Sequence, residues 1–403
     1  MKIIQGNICA PQGFLSCGIH VGLKKNQQKK DLALIYSTHS AVAAGVFTTN
    51  LIQAAPVLVT KNHLQSGSLQ AIVINSGNAN ACTGAAGLEH ALAIADATAH
   101  ALKLNSQQVA VASTGVIGVP LAIEKVLPGI AVAAPLLNND PNDESAAAAI
   151  ITTDTFIKHI AVECTIANKI VRIGGIAKGS GMIHPMMATM LAFITSDVAI
   201  NSSLLQKALT EANEDSFHMI SVDGDTSTND MALMLANGLA DNPEISSENS
   251  EDYQTFVKAL RFVCIHLAKK IAEDGEGASK LIEVNITGAN SKANARIAAR
   301  AICKSSLVKT AVFGEDANWG RIAAALGASG ILFNPEKLGI KLGNLSLFHD
   351  GMPVAFDEDL TLQYLKQKQI VINVNLADGS EYATAWGCDL TFDYVKINAS
   401  YRS

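Results

Sequence analysis

The chain has 403 residues, of which 49% are hydrophobic, 5% aromatic and 16% charged. This length exceeds what one ordinary hydrophobic core accommodates, and the composition favours a soluble α/β protein of two packed units. Its 30 Lys and Arg residues face 36 Asp and Glu residues, for a formal net charge of −6, and no basic block occurs. A nucleic-acid partner or an anionic membrane surface is therefore not expected.

Neither the N-terminal residues nor the cysteines suggest export or a metal site. The first residues, MKIIQGNICAPQGF, have too short an apolar run for a signal peptide and lack the Arg-rich pattern of a transit peptide. No apolar run approaches the roughly 18–20 residues of a membrane helix. The seven cysteines are scattered and never spaced as CxxC. We therefore predict buried, reduced thiols in a cytoplasmic protein without a bound metal.

Short strands and helices alternate through the first part of the chain. Leu69–Asn75 and Gln108–Ser113 have the apolar character of buried strands. The helix predicted between them has an apolar face formed by Leu88, Ala91, Leu92, Ala95 and Ala99. Ser145–Ile151 is predicted to be a helix. Ile160–Ile166 and Ile170–Ile176 are predicted to form a hairpin around an Asn-Lys turn.

The middle of the chain contains an apolar strand and an acidic loop. Thr189–Thr195 is predicted to be a strand, followed by a helix that Asn201 or Ser202 caps. Residues 240–252 are acidic and rich in Ser and Asn, which predicts a solvated loop.

A second α/β pattern follows this loop. Apolar residues from Tyr253 to Ile271 recur with helical spacing, which predicts a long amphipathic helix. After the turn EDGEGASK the pattern restarts as strand, helix and strand, and it ends in several strands from about Gln369 onward. We therefore predict a domain boundary near Lys280, with one domain over 1–280 and a second α/β domain over 281–403.

Three segments resemble known functional motifs but lack the residues that those functions require. The turn Lys178–Gly181 is not a phosphate loop, since the Walker pattern places its lysine after the last glycine. The segment 223–230, DGDTSTND, has Thr228 where a calcium loop needs glycine and lacks the distal Glu, so we interpret it as a turn that caps a helix. His184 does not cluster with other histidines, and we interpret it as a packed or solvated residue rather than a base.

Thr189 has two interpretations. A threonine in an apolar strand is usually structural, because β-branched side chains suit the pleated surface. A threonine is also an effective nucleophile at a chain N-terminus, where its own amine, with an ordinary pKa of roughly 7.7–8.0, serves as the base. This second role requires cleavage of the Ala188–Thr189 bond. Composition and spacing leave both interpretations open.

Residues 178–197, KGSGMIHPMMATMLAFITSD, are similar to the self-cleavage and nucleophile segment of the ornithine acetyltransferases, the glutamate N-acetyltransferases of arginine biosynthesis. Further motifs of that family match in chain order: NSGNANAC (75–82), STGVIG (113–118), TTDT (152–155), SVDGDTSTND (221–230), DGEGASK (274–280), FGEDANWGR (313–321) and VKINASYRS (395–403). Met186 departs from this pattern, since Asn is usual there, and Ser403 stands where the family has Thr. The resemblance covers most of the chain.

The resemblance implies roles for particular residues. Cleavage between Ala188 and Thr189 would give an α chain of 188 residues and a β chain of 403 − 188 = 215 residues, with Thr189 as its N-terminal nucleophile. The Thr114 hydroxyl and the Gly115 N–H resemble the oxyanion hole of the family. The substrate-binding positions of the family match Thr152, Lys178, Thr189, Glu276, Asn398 and Ser403. Asp223, Asp225 and Asn229 receive no firm role.

The resemblance also implies a fold and an activity. The expected fold is an α-β-β-α sandwich like that of N-terminal nucleophile hydrolases, with a smaller α/β C-terminal domain. The resemblance implies that residues 1–280 form the catalytic domain and that residues 281–403 form the C-terminal domain that completes the substrate site. The expected reaction moves an acetyl group from N-acetylornithine to glutamate through an acetyl-enzyme, in an assembly of two α and two β chains. No cofactor is expected, although acetyl-CoA is a candidate second acetyl donor. Two alternatives are a self-processing aminopeptidase or amidase and a non-enzymatic small-molecule-binding protein.

Overall fold

A computed structural model describes residues 1–184 and 190–400. The strands in these ranges are β1 (Lys2–Ile4), β2 (Phe14–Ile19), β3 (Leu32–Phe47), β4 (Ser68–Asn78), β5 (Val109–Val116), β6 (Lys158–Ile166), β7 (Lys169–Lys178), β8 (Leu191–Ser196), β9 (Ile220–Ser221), β10 (Met231–Ala236), β11 (Leu281–Ala289), β12 (Gly339–Leu342), β13 (Leu345–His349), β14 (Met352–Pro353), β15 (Gln369–Asn375) and β16 (Glu381–Cys388). The α-helices are α1 (Ala55–Leu64), α2 (Gly84–Leu102), α3 (Ile123–Ala133), α4 (Ser145–Ile150), α5 (Ser202–Glu214), α6 (Glu251–Glu273), α7 (Lys292–Lys304), α8 (Ser306–Phe313), α9 (Trp319–Gly327), α10 (Glu358–Leu365) and α11 (Phe392–Ala399).

The chain divides into two compact units, and each contains one sheet. The first unit consists of Met1–Gly179, Met186–Glu214 and Thr226–Leu267, and the second of Ser180–Pro185, Asp215–Asp225 and Ala268–Ser403. The assignment of 1–280 and 281–403 to a catalytic and a C-terminal domain stays a prediction.

In the first unit the strand order is β1-β6-β7-β8-β10-β3-β4-β5, and β2 also pairs with β3. The long strand β3 changes partners along its length, since residues 32–37 pair with β2 and residues 42–47 pair with β10. Its ladder with β4 shifts register between Tyr36 and Ala41, and such a bulge bends and twists a strand locally. The sheet therefore branches at β3.

Alternation along the strands places the two branches face to face. Leu34 and Val73 point to a core that they share with α1, α2 and α3. Their neighbours Ile35 and Ile72 point to the opposite side, into a core that they share with Phe193 of β8. Because both faces are covered, these strands are apolar almost throughout rather than alternating with polar residues.

A helix covers the outer face of the second branch. A Cβ atom added to Gly175 of β7 would lie 3.0 Å from a Leu267 methyl and 3.2 Å from a Val263 methyl, so α6 packs closely on this strand. The layers follow the order helix, sheet, sheet, helix. The predicted α/β class and its α-β-β-α sandwich are confirmed.

The second unit contains a smaller α/β arrangement, as predicted. Its strand order is β14-β13-β12-β15-β11-β16-β9, with β11 parallel to β15 and antiparallel to β16. Helix α7 packs on β11 and β16 and buries Ala298 and Ile302. Its start is fixed by Ser291, whose side chain accepts a hydrogen bond from the Asn294 N–H.

Most of the predicted elements are confirmed. Strands β4 and β5, helices α2 and α4, the β6–β7 hairpin and the long helix α6 all occur where the sequence predicts them. Asn201 caps α5, since its side chain accepts a hydrogen bond from the Ser203 N–H at 2.9 Å. Strand β8 begins at Leu191, whereas Thr189, the predicted first residue, lies outside the described ranges.

Three local predictions are wrong. The hairpin turn is formed by Ala167 and Asn168, both with positive φ, rather than by Asn-Lys; this is the type I′ geometry that matches strand twist. The chain after β16 forms helix α11 instead of a further strand. Six of the seven cysteines are buried, but Cys82 is exposed.

Candidate active site

The predicted site residues fall into three groups. Thr114, Gly115, Thr152 and Lys178 belong to the first unit, and Glu276 and Asn398 belong to the second. The cleavage-site residues Ala188 and Thr189 and the C-terminal Ser403 lie outside the described residues.

Lys178 joins two of the predicted residues in the first unit. It is the last residue of β7, it is only 2% exposed, and its Nζ donates to the Thr114 Oγ1 at 3.2 Å and to the Thr152 Oγ1 at 3.0 Å. Thr114 is 1% exposed and lies on β5. Three residues far apart in sequence, with no shared local pattern, therefore meet around one ammonium group.

The ammonium of Lys178 sets the direction of the Thr114 hydroxyl. An ammonium only donates hydrogen bonds, so in this pair the Thr114 oxygen is the acceptor. The hydroxyl hydrogen is then directed to another acceptor. A buried hydroxyl with this polarity suits stabilisation of a developing oxyanion.

A buried carboxylate offsets part of the positive charge in this part of the site. Asp154 Oδ1 accepts hydrogen bonds from Lys158 Nζ at 2.7 Å and from the Gly179 N–H at 2.7 Å, and its Oδ2 accepts from the Thr152 N–H at 2.9 Å. Burial opposes ionisation, but the charges of Lys178 and Lys158 and these hydrogen bonds hold the pKa of Asp154 well below its usual range. Asp154 thus fixes the Thr152 and Gly179 backbone around Lys178.

Asp154 and Lys158 were not predicted to be site residues. Asp154 lies inside the matching segment TTDT, and Lys158 follows four residues later. Burial of both the carboxylate and the lysine would have marked them as site residues, but the sequence alone does not reveal that they are buried.

Gly115 lies where a side chain has no room. Its φ is +136°, and an added Cβ would be 2.3 Å from the Gly77 carbonyl carbon and 2.5 Å from the Asn78 nitrogen. Both glycines pair directly across β4 and β5. This close backbone approach explains why residue 115 is glycine, whereas at Gly77 it is the φ of +103° that favours glycine.

Asn229 supports the same pair of strands. Its Nδ2 donates to the Ser113 carbonyl at 2.9 Å and to the Ala79 carbonyl at 2.6 Å. It therefore joins the residue before Thr114 to the loop that follows β4. Asn229 holds the backbone of the predicted oxyanion hole in place.

In the second unit, Glu276 and Asn398 lie together. Glu276 is 8% exposed, and one of its carboxylate oxygens accepts a hydrogen bond from Asn398 Nδ2 at 2.8 Å. The Glu276 N–H donates to the Ser180 carbonyl at 2.8 Å. A Cβ atom on Gly181 would lie 2.4 Å from the Glu276 carboxyl carbon, so this glycine leaves space for the carboxylate.

Asp223 holds the segment that precedes the predicted cleavage site. Its carboxylate accepts hydrogen bonds from the Met182 N–H at 2.6 Å and the Ile183 N–H at 2.8 Å, and from the Tyr394 hydroxyl at 3.3 Å. Burial raises the pKa of Asp223, against the effect of the two backbone donors. The predicted helix-capping turn is wrong, because strand β10 follows and the carboxylate binds residues about 40 positions earlier. Asp225 is exposed.

His184 is unsuited to act as a base at neutral pH, because the pKa of its imidazole lies below the ordinary value. Burial, together with the positive charges of Lys304 and Arg300, lowers the pKa of His184 to about 4. Its Nδ1 lies 3.2 Å from the Ser221 hydroxyl oxygen. This agrees with its interpretation as a packed residue.

Within residues 1–184 and 190–400, no group of three or more His, Cys, Asp or Glu side chains is arranged to hold a metal ion. Over the same ranges, none of the helices has both the length and the apolar character needed to cross a bilayer.

Comparison with known proteins identifies the family. Residues 15–403 match the model of the ArgJ family. The chain is 54% identical over 404 aligned positions to the arginine biosynthesis bifunctional protein ArgJ of Symbiobacterium thermophilum, with all of both chains covered. It is 50% identical to the protein of the same name from Caldanaerobacter subterraneus subsp. tengcongensis, again with all of both chains covered.

A solved structure is also similar to this chain. The crystal structure of the arginine biosynthesis bifunctional protein ArgJ from Bacillus halodurans is 47% identical, with a TM-score of 0.50, and the match covers 51% of this chain and 97% of that one. The family model spans nearly the whole sequence, and the two relatives match over their full lengths. The chain is therefore an enzyme and belongs to the ArgJ family.

Proposed function

We propose that this enzyme is an ornithine acetyltransferase that moves the acetyl group of N2-acetyl-L-ornithine to L-glutamate. The observation that carries this proposal is the identity of 54% over the whole length of a relative named for arginine biosynthesis. The meeting of Lys178, Thr114 and Thr152 around one ammonium agrees with it, since these residues match the family's site positions.

The proposed reaction has two acyl-transfer steps. The Thr189 hydroxyl attacks the acetyl carbonyl while the Thr189 amine takes its proton. Thr114 and Gly115 stabilise the oxyanion, and ornithine leaves with a proton on its amine. The glutamate amine then attacks the acetyl-enzyme, which gives N-acetylglutamate and restores the hydroxyl.

This chemistry requires cleavage between Ala188 and Thr189, which we propose occurs without another protein. The crystallised chain of the Bacillus halodurans relative aligns over 97% of its length with only 51% of this chain, so it is about half as long. A cut near the middle of a precursor would produce such a chain. We further propose that the two products assemble as two α and two β chains in the cytoplasm.

The charges of two residues that match the family's substrate-binding positions suit the proposed substrates. N-acetylornithine has a carboxylate and a side-chain ammonium, and Lys178 and Glu276 have the complementary charges. We propose that Thr152, Asn398 and Ser403 complete substrate binding. Acetyl-CoA as a second acetyl donor would account for the word bifunctional in the names of the relatives, and no other cofactor is proposed.

One experiment tests the proposed function against its alternatives. Purified protein is analysed by intact-mass spectrometry and then incubated with N-acetylornithine, with and without glutamate. We expect two fragments that begin at Met1 and Thr189, and ornithine release that depends on glutamate. Release to water at the same rate would indicate an amidase, and an intact chain without turnover would indicate a binding protein.

The polarity of the Thr114 hydroxyl predicts the effect of removing it. Thr114→Val keeps the side-chain shape but removes the donor, so we expect kcat to fall about 10²–10³-fold with little change in KM. Thr114→Ser, which keeps a hydroxyl, is the matched control and should retain most of the activity. Rates are normalised to the cleaved fraction measured by mass. A Thr114→Val enzyme with the wild-type kcat would rule out this role.

The Glu276 carboxylate gives a separate prediction about binding. Glu276→Gln removes one charge, so we expect the KM for N-acetylornithine to rise about 10- to 100-fold, as for the loss of a charge-assisted hydrogen bond, with a smaller change in kcat. Glu273→Gln is the control, because Glu273 lies on α6 and pairs with Lys270 at 2.7 Å in an exposed position. Equal KM values for the two variants would contradict the proposal.

A further inference from the structure

Lys24 lies beside the predicted oxyanion hole and has no part in the proposed mechanism. It is half-buried in the loop between β2 and β3. A Cβ atom added to Gly77 would lie 3.4 Å from the Lys24 Cγ, and Gly77 pairs directly with Gly115. The stem of the Lys24 side chain therefore lies against the end of the β4–β5 ladder that contains Gly115.

The ammonium group of Lys24 lies next to Thr152. Its Nζ donates to the Ile151 carbonyl at 2.8 Å and to the Lys30 carbonyl at 2.7 Å. Ile151 directly precedes Thr152, whose hydroxyl accepts a hydrogen bond from Lys178 Nζ at 3.0 Å. The two ammonium groups are thus bonded to adjacent residues, 151 and 152, in the first unit.

One N–H group of this ammonium remains for a ligand. An ammonium has three donors, and two of those of Lys24 are bonded to carbonyls. Among the described residues, the Lys24 ammonium forms no ion pair. Two carboxylates near it are engaged elsewhere, since Asp154 pairs with Lys158 at 2.7 Å and Asp31 accepts three backbone N–H groups of residues 21–24.

The charges around Lys24 favour an anionic ligand. Burial lowers the pKa of Lys24 to about 8, and the positive charges of Lys29 and Lys178 act in the same direction. The charges of Asp31 and Asp154 oppose this shift, and the amine is mostly protonated at neutral pH. An anion beside the amine would relieve both its burial and its repulsion from Lys178.

The proposed reaction includes one substrate charge to which no residue has been assigned. N-acetylornithine has a carboxylate and an ammonium, for which Lys178 and Glu276 are proposed. Glutamate has a second carboxylate in place of that ammonium, and a side chain that binds the ammonium would repel this carboxylate. A further cation is therefore required when glutamate is the acetyl acceptor.

We propose that Lys24 binds the side-chain carboxylate of glutamate and thereby makes the enzyme selective for an acidic acetyl acceptor. This inference rests on the proposed function, in which glutamate takes the acetyl group. The position of Lys24 beside Gly77 and Ile151 places its free N–H group next to Gly115 and Thr152, the predicted oxyanion hole and substrate-binding residues.

The experiment measures acetyl transfer from N-acetylornithine to glutamate and to glutamine, which has a similar shape without the charge. Lys24→Met keeps the length of the stem and removes the ammonium. We expect the KM for glutamate to rise about 10- to 100-fold, the range for a hydrogen bond to a charged group, with little change in the KM for N-acetylornithine. The ratio of kcat/KM for glutamate to that for glutamine should fall by a similar factor. Rates are normalised to the cleaved fraction measured by mass.

Two variants serve as controls. Lys24→Arg keeps the positive charge and should retain the preference for glutamate. Lys25→Met removes a charge from the next residue, which is exposed, and should behave like the wild type. If Lys24→Met does not fold, because the Ile151 and Lys30 carbonyls have lost their donor, Lys24→Gln replaces it, since glutamine has N–H groups but no charge.

The outcomes separate this inference from a structural role and from the proposed function. An equal loss of kcat/KM for both acceptors, or an unchanged preference, would overturn the role of Lys24 and leave the acetyltransferase proposal standing. An equally large rise in the KM for N-acetylornithine would also overturn it, because that result indicates binding of the carboxylate that both substrates share. A wild type that transfers no acetyl group to glutamate would instead overturn the proposed function, and the role of Lys24 with it.

Discussion

Replacing Thr189 by alanine is expected to leave the chain uncleaved and to abolish acetyl transfer. The variant lacks the hydroxyl that both proposed reactions need, so intact-mass spectrometry should find one full-length species. The transfer rate should fall at least about 10⁴-fold, as for loss of a catalytic nucleophile.

Thr189→Ser provides the matched control, because it keeps a hydroxyl at the same position. We expect it to be cleaved and to retain measurable transfer. A Thr189→Ala protein that still produced N-acetylglutamate at a comparable rate would remove Thr189 from the mechanism. An uncleaved but fully active wild type would remove the requirement for a free amine.

Asp154→Asn is expected to lower the free energy of unfolding by about 3–5 kcal/mol. The change would leave Lys158, whose side chain is 0% exposed, and the buried Lys178 without this carboxylate. The measurement is urea unfolding followed by circular dichroism. It is best made with Thr189→Ala as the background, so that the unfolding chain stays in one piece.

The pH dependence of this effect has a definite sign. The pKa of Asp154 is depressed in the folded protein, so its contribution is fully present above the ordinary value of 3.8 and is lost as the pH falls through the folded-state pKa. The difference between Asp154→Asn and its parent should therefore stay constant at neutral pH and shrink only in strong acid. Glu248→Gln, which breaks an exposed pair with Lys207, should leave the free energy of unfolding nearly unchanged. Similar losses in both variants would contradict the prediction.

Local sequence patterns predicted the individual strands and helices better than they predicted how these elements pair and pack. Periods of two and 3.6 residues identify strands such as β4 and helices such as α6, because burial imposes those periods on the side chains. They did not reveal that β3 joins two layers, since that depends on partners from three other strands. They also missed helix α11, because it has no buried residue and its sequence therefore has only a weak helical periodicity of apolar residues.

In the candidate site, too, contacts between residues distant in sequence were not predictable from local patterns. The meeting of Lys178 with Thr114 and Thr152 joins residues 64 and 26 positions apart, so only the family resemblance could connect them beforehand. Asp223 was assigned to a cap because acidic turns commonly cap helices, whereas its carboxylate binds a segment about 40 residues earlier. Thr189, Ala188 and Ser403 lie outside the described residues, and their roles stay predictions.

The strand order of the first unit has a consequence for the lifetime of the processed enzyme. Strands β8 and β10 follow the proposed cut, yet they lie between β7 and β3, which precede it. Two halves interleaved in this way cannot dissociate without breaking two complete ladders of backbone hydrogen bonds. We expect them to remain associated on dilution, and partners from different molecules to exchange very slowly. After denaturation, recovery would require two separate chains to find each other, so refolding would become concentration-dependent only once the cut is made.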